Sequence, residues 1–300
     1  MLSDKVLISR ISPRWGQERR LEFIDFRLLW ERTVNRGELI EFFGISAQQA
    51  SADLARYQEL APGNIIYNTS RKRYETGNSF SPKFIQPSAN GYLQLLLERQ
   101  VTDKFSPGNF IGWTPETDIV VSPTRNISET ALAQLLWVMR YEMEIEITYQ
   151  SLRLDQPERI WIAPHAFGFD GTRWHTRAWS FKRATFADFV LSRIQIIHAT
   201  RPGAVISKND QWWHEYIELH IRPKSTLTES QRISIAKDFG MKNGQLSLRS
   251  RKAMAFYVLR SLRLEEDRPK ASIDQPLELI NRSELQDILA AGHKSPPLSS

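Results

Sequence analysis

The 300-residue chain contains no cysteine. Disulfides, thiol nucleophiles, zinc–thiolate sites and iron–sulfur clusters are therefore excluded, and a reducing cytoplasm is the compartment that fits. No apolar run approaches the ~18 residues of a membrane helix, and the opening MLSDKVLISRISPRWGQERR has no signal-peptide apolar core. A soluble, cytoplasmic protein with no membrane partner is expected. Common catalytic signatures are also missing: there is no H-E-x-x-H, no G-x-S-x-G, no G-x-G-x-x-G and no phosphate loop. The six histidines, at 165, 175, 198, 214, 220 and 293, have no clustered carboxylates beside them. Neither an enzyme nor a cofactor nor a metal site is expected. The alternative that remains open is a nucleotide-hydrolysing site or metal pair at His165 and His175.

Charge is present but only mildly unbalanced. Forty Lys+Arg against 34 Asp+Glu give a net +6, so a polyanionic partner must be argued from local clustering. The densest cluster is residues 173–194, RWHTRAWSFKRATFADFVLSRI. It sets Arg173, Arg177, Lys182, Arg183 and Arg193 against one acid, Asp188, and interleaves them with Trp174, Trp179, Phe181, Phe186 and Phe189. Such a surface can pair with phosphates and stack on flat groups.

Three blocks follow from the hydrophobic patterning, and the fold class is α+β multidomain. In the first, residues 1–90, the spacing predicts a helix over 17–32 with Leu21, Ile24 and Leu28 on one stripe. Asn35-x-x-Glu38 and Ser46-x-x-Gln49 read as capping boxes opening helices over 35–43 and 46–60, with Gly44 closing the first. Two short strands, 65–68 and 73–76, are joined by the basic turn Thr69-Ser70-Arg71-Lys72. Helix, helix, tight turn, helix and hairpin is the order of a winged helix-turn-helix. Residues 91–128 read as a bridging helix, 91–100, followed by a loose Pro/Gly segment.

The second block, 129–203, predicts a helix over 129–141 and about five short strands that bend into a small β-barrel. The strands fall at 143–149, 159–163, 166–169, 174–181 and 188–197, with Asp170-Gly171 as a tight hairpin. The third block, 204–300, alternates as an α+β unit. Strands are expected at 216–221 and 245–248, and helices at 228–239 and 251–262, with a frayed end HKSPPLSS.

Rotating the helix that starts at Ser46 places Ala47, Ala50, Leu54 and Tyr57 inward and Gln48, Gln49, Ala52, Ala55 and Arg56 outward. Glutamine can pair with adenine and arginine with guanine, and small alanines allow close approach. Ser46, Gln48, Gln49, Ser51, Ala52 and Arg56 are the candidate DNA-reading residues, with Arg71, Lys72 and Arg73 holding phosphates. The competing view is a solvated face or a protein-interaction module. On the strand 173–181, Arg173, His175 and Arg177 alternate to one face, which Arg193 joins if 188–197 lies alongside. Ser151 and His165 could complete the rim. The competing view makes these arginines ordinary partners of Glu144, Glu146, Glu158 and Asp188.

The run Tyr149-x-Ser151, the segment PHAFGFDGTRWHTRAW at 164–179 and F-x-L-S-R-I at 189–194 resemble a WYL domain. The preceding SAQQASADLARYQELAPGNIIYNTSRKRY resembles the winged-helix part of the BrxR/CapW type of WYL regulator, found with bacterial phage-defence systems (BREX, CBASS). The likeness spans essentially the whole chain. It implies an Sm-like/SH3-like barrel for the WYL domain, a C-terminal dimerisation domain, and a homodimer that represses transcription from an inverted-repeat DNA operator. It also implies relief by a nucleotide or nucleic-acid effector in a pocket on Ser151, His165, Arg173, His175, Arg177 and Arg193. The triplet that names the domain reads Trp174-His175-Thr176 here, so the ligand's identity does not carry over. An RNA- or single-strand-binding protein using the barrel surface is the alternative.

Overall fold

The computed structural model describes residues 13–101, 109–120, 123–203, 207–266 and 275–291. The chain divides into two compact units, Met1–Val121 and Ser122–Ser300. The start of the chain and HKSPPLSS lie outside the described residues, so the expected fraying falls there.

The first unit opens with α1, Pro13–Trp30, followed by β1, Thr33–Val34. Next come α2, Arg36–Phe43, and α3, Ala47–Leu60. The hairpin β2, Ile65–Asn68, and β3, Arg73–Thr76, precedes α4, Ala89–Val101. Asn35 makes the full reciprocal capping box with Glu38, and Gly44 ends α2 in the left-handed region at φ 63°, where a Cβ would be strained. The second box is only half made. Ser46 accepts the Gln49 backbone N–H at 3.1 Å, but the Gln49 side chain donates to Asp53 at 3.1 Å instead of turning back to the cap. Asp53 is fully buried and also paired with Arg20 Nε at 2.5 Å, so its lone pairs outcompete the cap backbone.

Both wing strands fall where the sequence places them. β1 adds a third strand that its two residues were too short to announce, giving the antiparallel order β1-β3-β2. The core joins Leu21, Phe23, Ile24 and Leu28 of α1 to Leu39, Leu54 and Tyr57. Buried Asp25 fixes the connector after the wing. It accepts the Tyr57 hydroxyl and the backbone N–H groups of Lys83, Phe84 and Ile85. α4 and residues 109–111 close the same core, with Phe26 on Tyr92 and Phe23 edge-on to Phe110.

The second unit holds two further cores. α5, Glu129–Arg140, covers a sheet of β4, Met143–Tyr149, β5, Glu158–Phe169, β6, Trp174–Ser180, β7, Thr185–Val190, and β8, Ile194–Pro202. Ile145, Ile147, Ile160, Ile162, Ala178 and Phe189 form the face under α5. The two short strands expected at 159–163 and 166–169 are one strand with a bulge between Pro164 and Ala166. The expected barrel is an open sheet of order β7-β6-β5-β4-β8. Its closure would require β7 to pair with β8. Instead the chain between them forms a 3-10 turn, Leu191–Arg193, that carries β8 to the far edge beside β4. The single strand expected at 188–197 is therefore two strands on opposite edges.

After β8 come α6, Gln211–His214, β9, Tyr216–Pro223, and α7, Glu229–Asp238. The chain continues through β10, Leu246–Arg251, α8, Lys252–Ser261, β11, Leu277–Leu279, and α9, Gln286–Ala291. The sheet has order β10-β9-β11, and its core gathers Leu219, Ile221, Ala255, Leu259, Leu277 and Ile288. The Thr228–Gln231 capping box opens α7 as expected. No helix among the described residues is long and apolar enough to cross a membrane.

Candidate DNA-binding face and effector site

On α3, Ala50, Asp53, Leu54 and Tyr57 are buried. Ala47, expected inward, is exposed at the first position of α3, and Asp53 is buried instead, paired with Arg20. Ser46, Gln48, Ser51, Ala52, Ala55 and Arg56 are exposed, and Gln49 is half-buried over Asp53. Ser51 Oγ donates back to the Ala47 carbonyl at 2.9 Å and lies 3.5 Å from Arg36 Nη1, a cation of α2 that the sequence reading passed over. Arg56 is held loosely by Glu59 at 3.0 Å, with both side chains largely in solvent.

At the wing, Arg71 and Arg73 converge on one carboxylate, Glu75, each at 3.2 Å. The Asn68 amide, then Arg73 and Arg71, hold the Glu75 carboxyl below its usual range. Lys72 sits in the left-handed region at φ 51° and is exposed. The turn thus presents three cations against one acid.

In the second unit the six effector candidates fall into three pairs. Ser151 and Arg193 are neighbours through the Gln150 N–H, which donates to the Arg193 carbonyl at 3.1 Å. Arg173 and His175 share Asp170, at 3.1 and 2.9 Å. Arg177 and His165 share Asp210: Arg177 Nε and Nη2 lie 2.7 and 3.0 Å from its two oxygens, and His165 Nε2 lies at 3.0 Å. Arg177 Nη1 also reaches Asp188 at 3.2 Å.

The alternation is as expected, since Ala178 belongs to the core under α5 and His175 and Arg177 lie on the other face. That face, however, is not open. Arg177 is 1% exposed and His175 5%. α8 lies on it: Tyr257 donates to Asp188 at 2.9 Å and its ring sits 5.2 Å from His175. A Cβ on Gly168 would come within 2.8 Å of Met254 Sδ, so the side chain of α8 that packs on β5 rests directly over this glycine. α6 adds Trp213, edge-on to His165 at 5.9 Å. Within this cluster the His175 Nδ1 is buried and without a hydrogen-bond partner. A cavity of about 210 Å3 lies against His165 and Phe186, with Ser207 and Glu142 also on its wall.

The electrostatics follow from burial and pairing. Burial alone would raise the Asp170 carboxyl, but donors from His175, Thr172 and Arg173 outweigh it and hold the group well below the usual carboxylate range. Burial likewise opposes ionisation of Asp210, yet His165 and Arg177 bring it down. Arg177 is pushed up despite burial by Asp210 and Asp188. Burial, then the Asp188 charge, pushes the Tyr257 hydroxyl up. The sequence reading missed Asp210 and Tyr257, which lie far along the chain. An Asp before Gln-Trp-Trp at 211–213 is a legible N-cap, but nothing local reveals that it also faces Arg177.

Residues 16–98 match the BrxR transcriptional regulator winged helix-turn-helix domain and residues 130–199 the WYL domain. Residues 216–285 match the BrxR transcriptional regulator C-terminal dimerization domain. The order of these domains defines a WYL-domain transcription regulator. A "DNA-binding transcriptional repressor CapW" of Stenotrophomonas maltophilia is 41% identical over 255 residues, covering 84% of this chain and 85% of that protein. Proteins of the same description from Escherichia coli (strain KTE188) and Pseudomonas aeruginosa are each 36% identical over 281 and 285 residues, covering 93% of this chain and 94% of theirs. The chain belongs to this family of DNA-binding repressors, which are not enzymes.

Proposed function

We propose that the protein is a homodimeric repressor that binds an inverted-repeat operator upstream of a phage-defence operon and leaves it when an anionic effector, a nucleotide or nucleic acid, binds the WYL domain. The observation that carries the DNA half is the exposed row Gln48, Ser51, Ala52 and Arg56 on α3, set in a winged helix whose wing turn offers Arg71, Lys72 and Arg73. Gln48 and Arg56 read bases, with Gln49 steadying the helix through Asp53 and Ser46 capping it. The wing cations hold phosphates. Two such domains joined by a dimer occupy half-sites about one helical turn of DNA apart, or a multiple of it. The relatives' printed description as DNA-binding repressors supports this reading.

The effector half rests on the hydrogen-bonding side chains of one sheet face, Arg173, His175 and Arg177, with His165 alongside and Arg193 beside Ser151 at the turn. A gel shift with the DNA upstream of the protein's own gene tests the whole reading. Duplex binding to a palindrome, lost in Gln48→Ala/Arg56→Ala and retained in a variant of the sheet face, is the expected result. Binding confined to single strands would overturn it.

A further inference from the structure

The cation at the centre of the sheet face is already occupied by a side chain that does not belong to the sheet. We propose that Asp210 sits where the effector's phosphate is to sit, so that the incoming anion and the start of α6 compete for Arg177. This rests on the effector reading above and adds how binding is coupled to the C-terminal domain.

Four observations carry it. Arg177 offers Asp210 the two-pronged edge, Nε and Nη2, at 2.7 and 3.0 Å, which is the fork that arginine gives to carboxylates and phosphates alike. The two carboxylates on Arg177 differ in origin. Asp188 lies on β7 directly opposite Arg177 in the strand register and stays with the sheet, whereas Asp210 comes from beyond β8 and caps α6. Asp210 is therefore the ligand that can leave without unfolding the sheet.

Its departure has a defined consequence. Asp210 anchors α6 through Arg177 and His165 and accepts the Trp213 backbone N–H at 3.3 Å. α6 is a single four-residue turn, too short to hold its shape without such anchors. It carries Trp212, part of the C-terminal core, and Trp213, whose ring lies 4.9 Å from the guanidinium of Arg251 at the start of α8. Releasing Asp210 therefore loosens the seat of the dimerisation domain on the sheet.

Finally, the surroundings suit a phosphate. The unpartnered His175 Nδ1 lies two residues along the same strand face. A cavity of about 210 Å3 opens against His165, the second partner of Asp210, although Arg177 and Asp210 themselves do not line it; it is below the ~300 Å3 at which pockets for whole small molecules begin. It has room for a phosphate-sized group beside His165, the side chain that shares Asp210 with Arg177. Its carboxylate, Glu142, is exposed to solvent. A ligand shifts an equilibrium only through differential affinity, and competition for one guanidinium supplies it.

The test uses the full chain and an eight-residue oligothymidylate, with and without a 5′-phosphate, titrated against wild type, Asp210→Asn and Asp188→Asn. Amide hydrogen exchange is followed at 211–214. Asp210→Asn is expected to bind the phosphorylated strand at least fivefold tighter than wild type. Probe saturation should speed exchange at 211–214 in wild type, while in Asp210→Asn these amides start fast and the probe adds nothing. Asp188→Asn should leave them slow. Asp210→Ser, also neutral and also able to cap α6, repeats the comparison if the asparagine variant does not fold. An equal gain for both strands places a backbone diester in the seat, and a gain for the phosphorylated strand alone places a terminal phosphate there. Equal or weaker binding by both neutral variants overturns the competition but leaves the effector reading standing. Absence of binding by every protein sinks both.

Discussion

Arg177 and Asp210 are 33 residues apart in sequence and meet edge-on, with Nε 2.7 Å from one carboxylate oxygen and Nη2 3.0 Å from the other. The pair ties the WYL sheet to the turn that leads into the dimerisation domain. It is fully buried, and a buried ion pair is costly to break from one side because the remaining charge has no solvent.

Removing the acid therefore has a stability cost distinct from any effect on binding. Asp210→Ala takes from Arg177 its two-pronged buried partner and strips α6 of its side-chain cap, and is expected to destabilise the second unit by about 3 kcal/mol. Asp210→Asn keeps hydrogen-bonding capacity and the cap, so its cost should be smaller. Urea unfolding followed by tryptophan fluorescence, with Trp212 and Trp213 beside the lesion, checks the order. Equal midpoints for the alanine variant and wild type would contradict the account of the pair.

Acid should act on the same cluster. Asp170 and Asp210 both have folded pKa values below the ~3.9 of an unfolded aspartate. A depressed carboxylate contributes its stability in full above the unfolded pKa and loses it as pH falls through the folded one. The melting temperature of the second unit is therefore expected to be insensitive to these two groups from about pH 7 to 5 and to fall below about pH 4. In Asp170→Asn/Asp210→Asn the melt starts lower at pH 7 and loses less between pH 5 and 3. Melts at fixed ionic strength read this directly, and an unchanged acid slope in the double variant would refute it.

Much of this was legible from the chain. Caps at Asn35, Ser46 and Thr228 and the break at Gly44 are local chemistry, and the helices begin and end where those residues place them. The alternation of Arg173, His175 and Arg177 was equally local. What covers that face was not: Asp210 and Tyr257 reach it from 33 and 80 positions beyond Arg177, and no periodicity encodes such contacts. Strand ends misled for a related reason. Residues 188–197 read as one strand, yet the tertiary need to reach the far edge of the sheet breaks it at Leu191–Arg193. The two faces of α3 were read correctly except at Ala47, which is exposed, and at Gln49, which turns half-inward to bond the buried Asp53.

DNA binding should divide between bases and phosphates. Arg56→Ala and Gln48→Ala are each expected to cost roughly 1–3 kcal/mol on the operator and little on random duplex. Lys72→Ala should weaken both alike and lower the salt slope by about 1. Glu75 restrains both Arg71 and Arg73, so Glu75→Gln should strengthen non-specific binding and steepen its salt dependence. Fluorescence anisotropy at several salt concentrations separates these effects. Equal losses on operator and random DNA for Arg56→Ala would remove it from base reading.

The seat of α8 on the WYL sheet can be tested without touching any charge. A Cβ at Gly168 would stand 2.8 Å from Met254 Sδ, so in Gly168→Ala the flexible thioether of Met254 must move aside. Because methionine re-packs readily, the cost is expected to be about 1 kcal/mol, the low end for overpacking. The contact is specific to one side chain, so Met254→Ala should relieve the clash and the double variant should recover stability relative to Gly168→Ala alone. A cycle of thermal melts over the four proteins gives a favourable coupling if α8 rests on β5. Strict additivity would mean that the helix does not bear on the strand there. Because Tyr257 follows Met254 on the same helix and bonds Asp188, Gly168→Ala should also speed amide exchange in β7, a change that the double variant reverses.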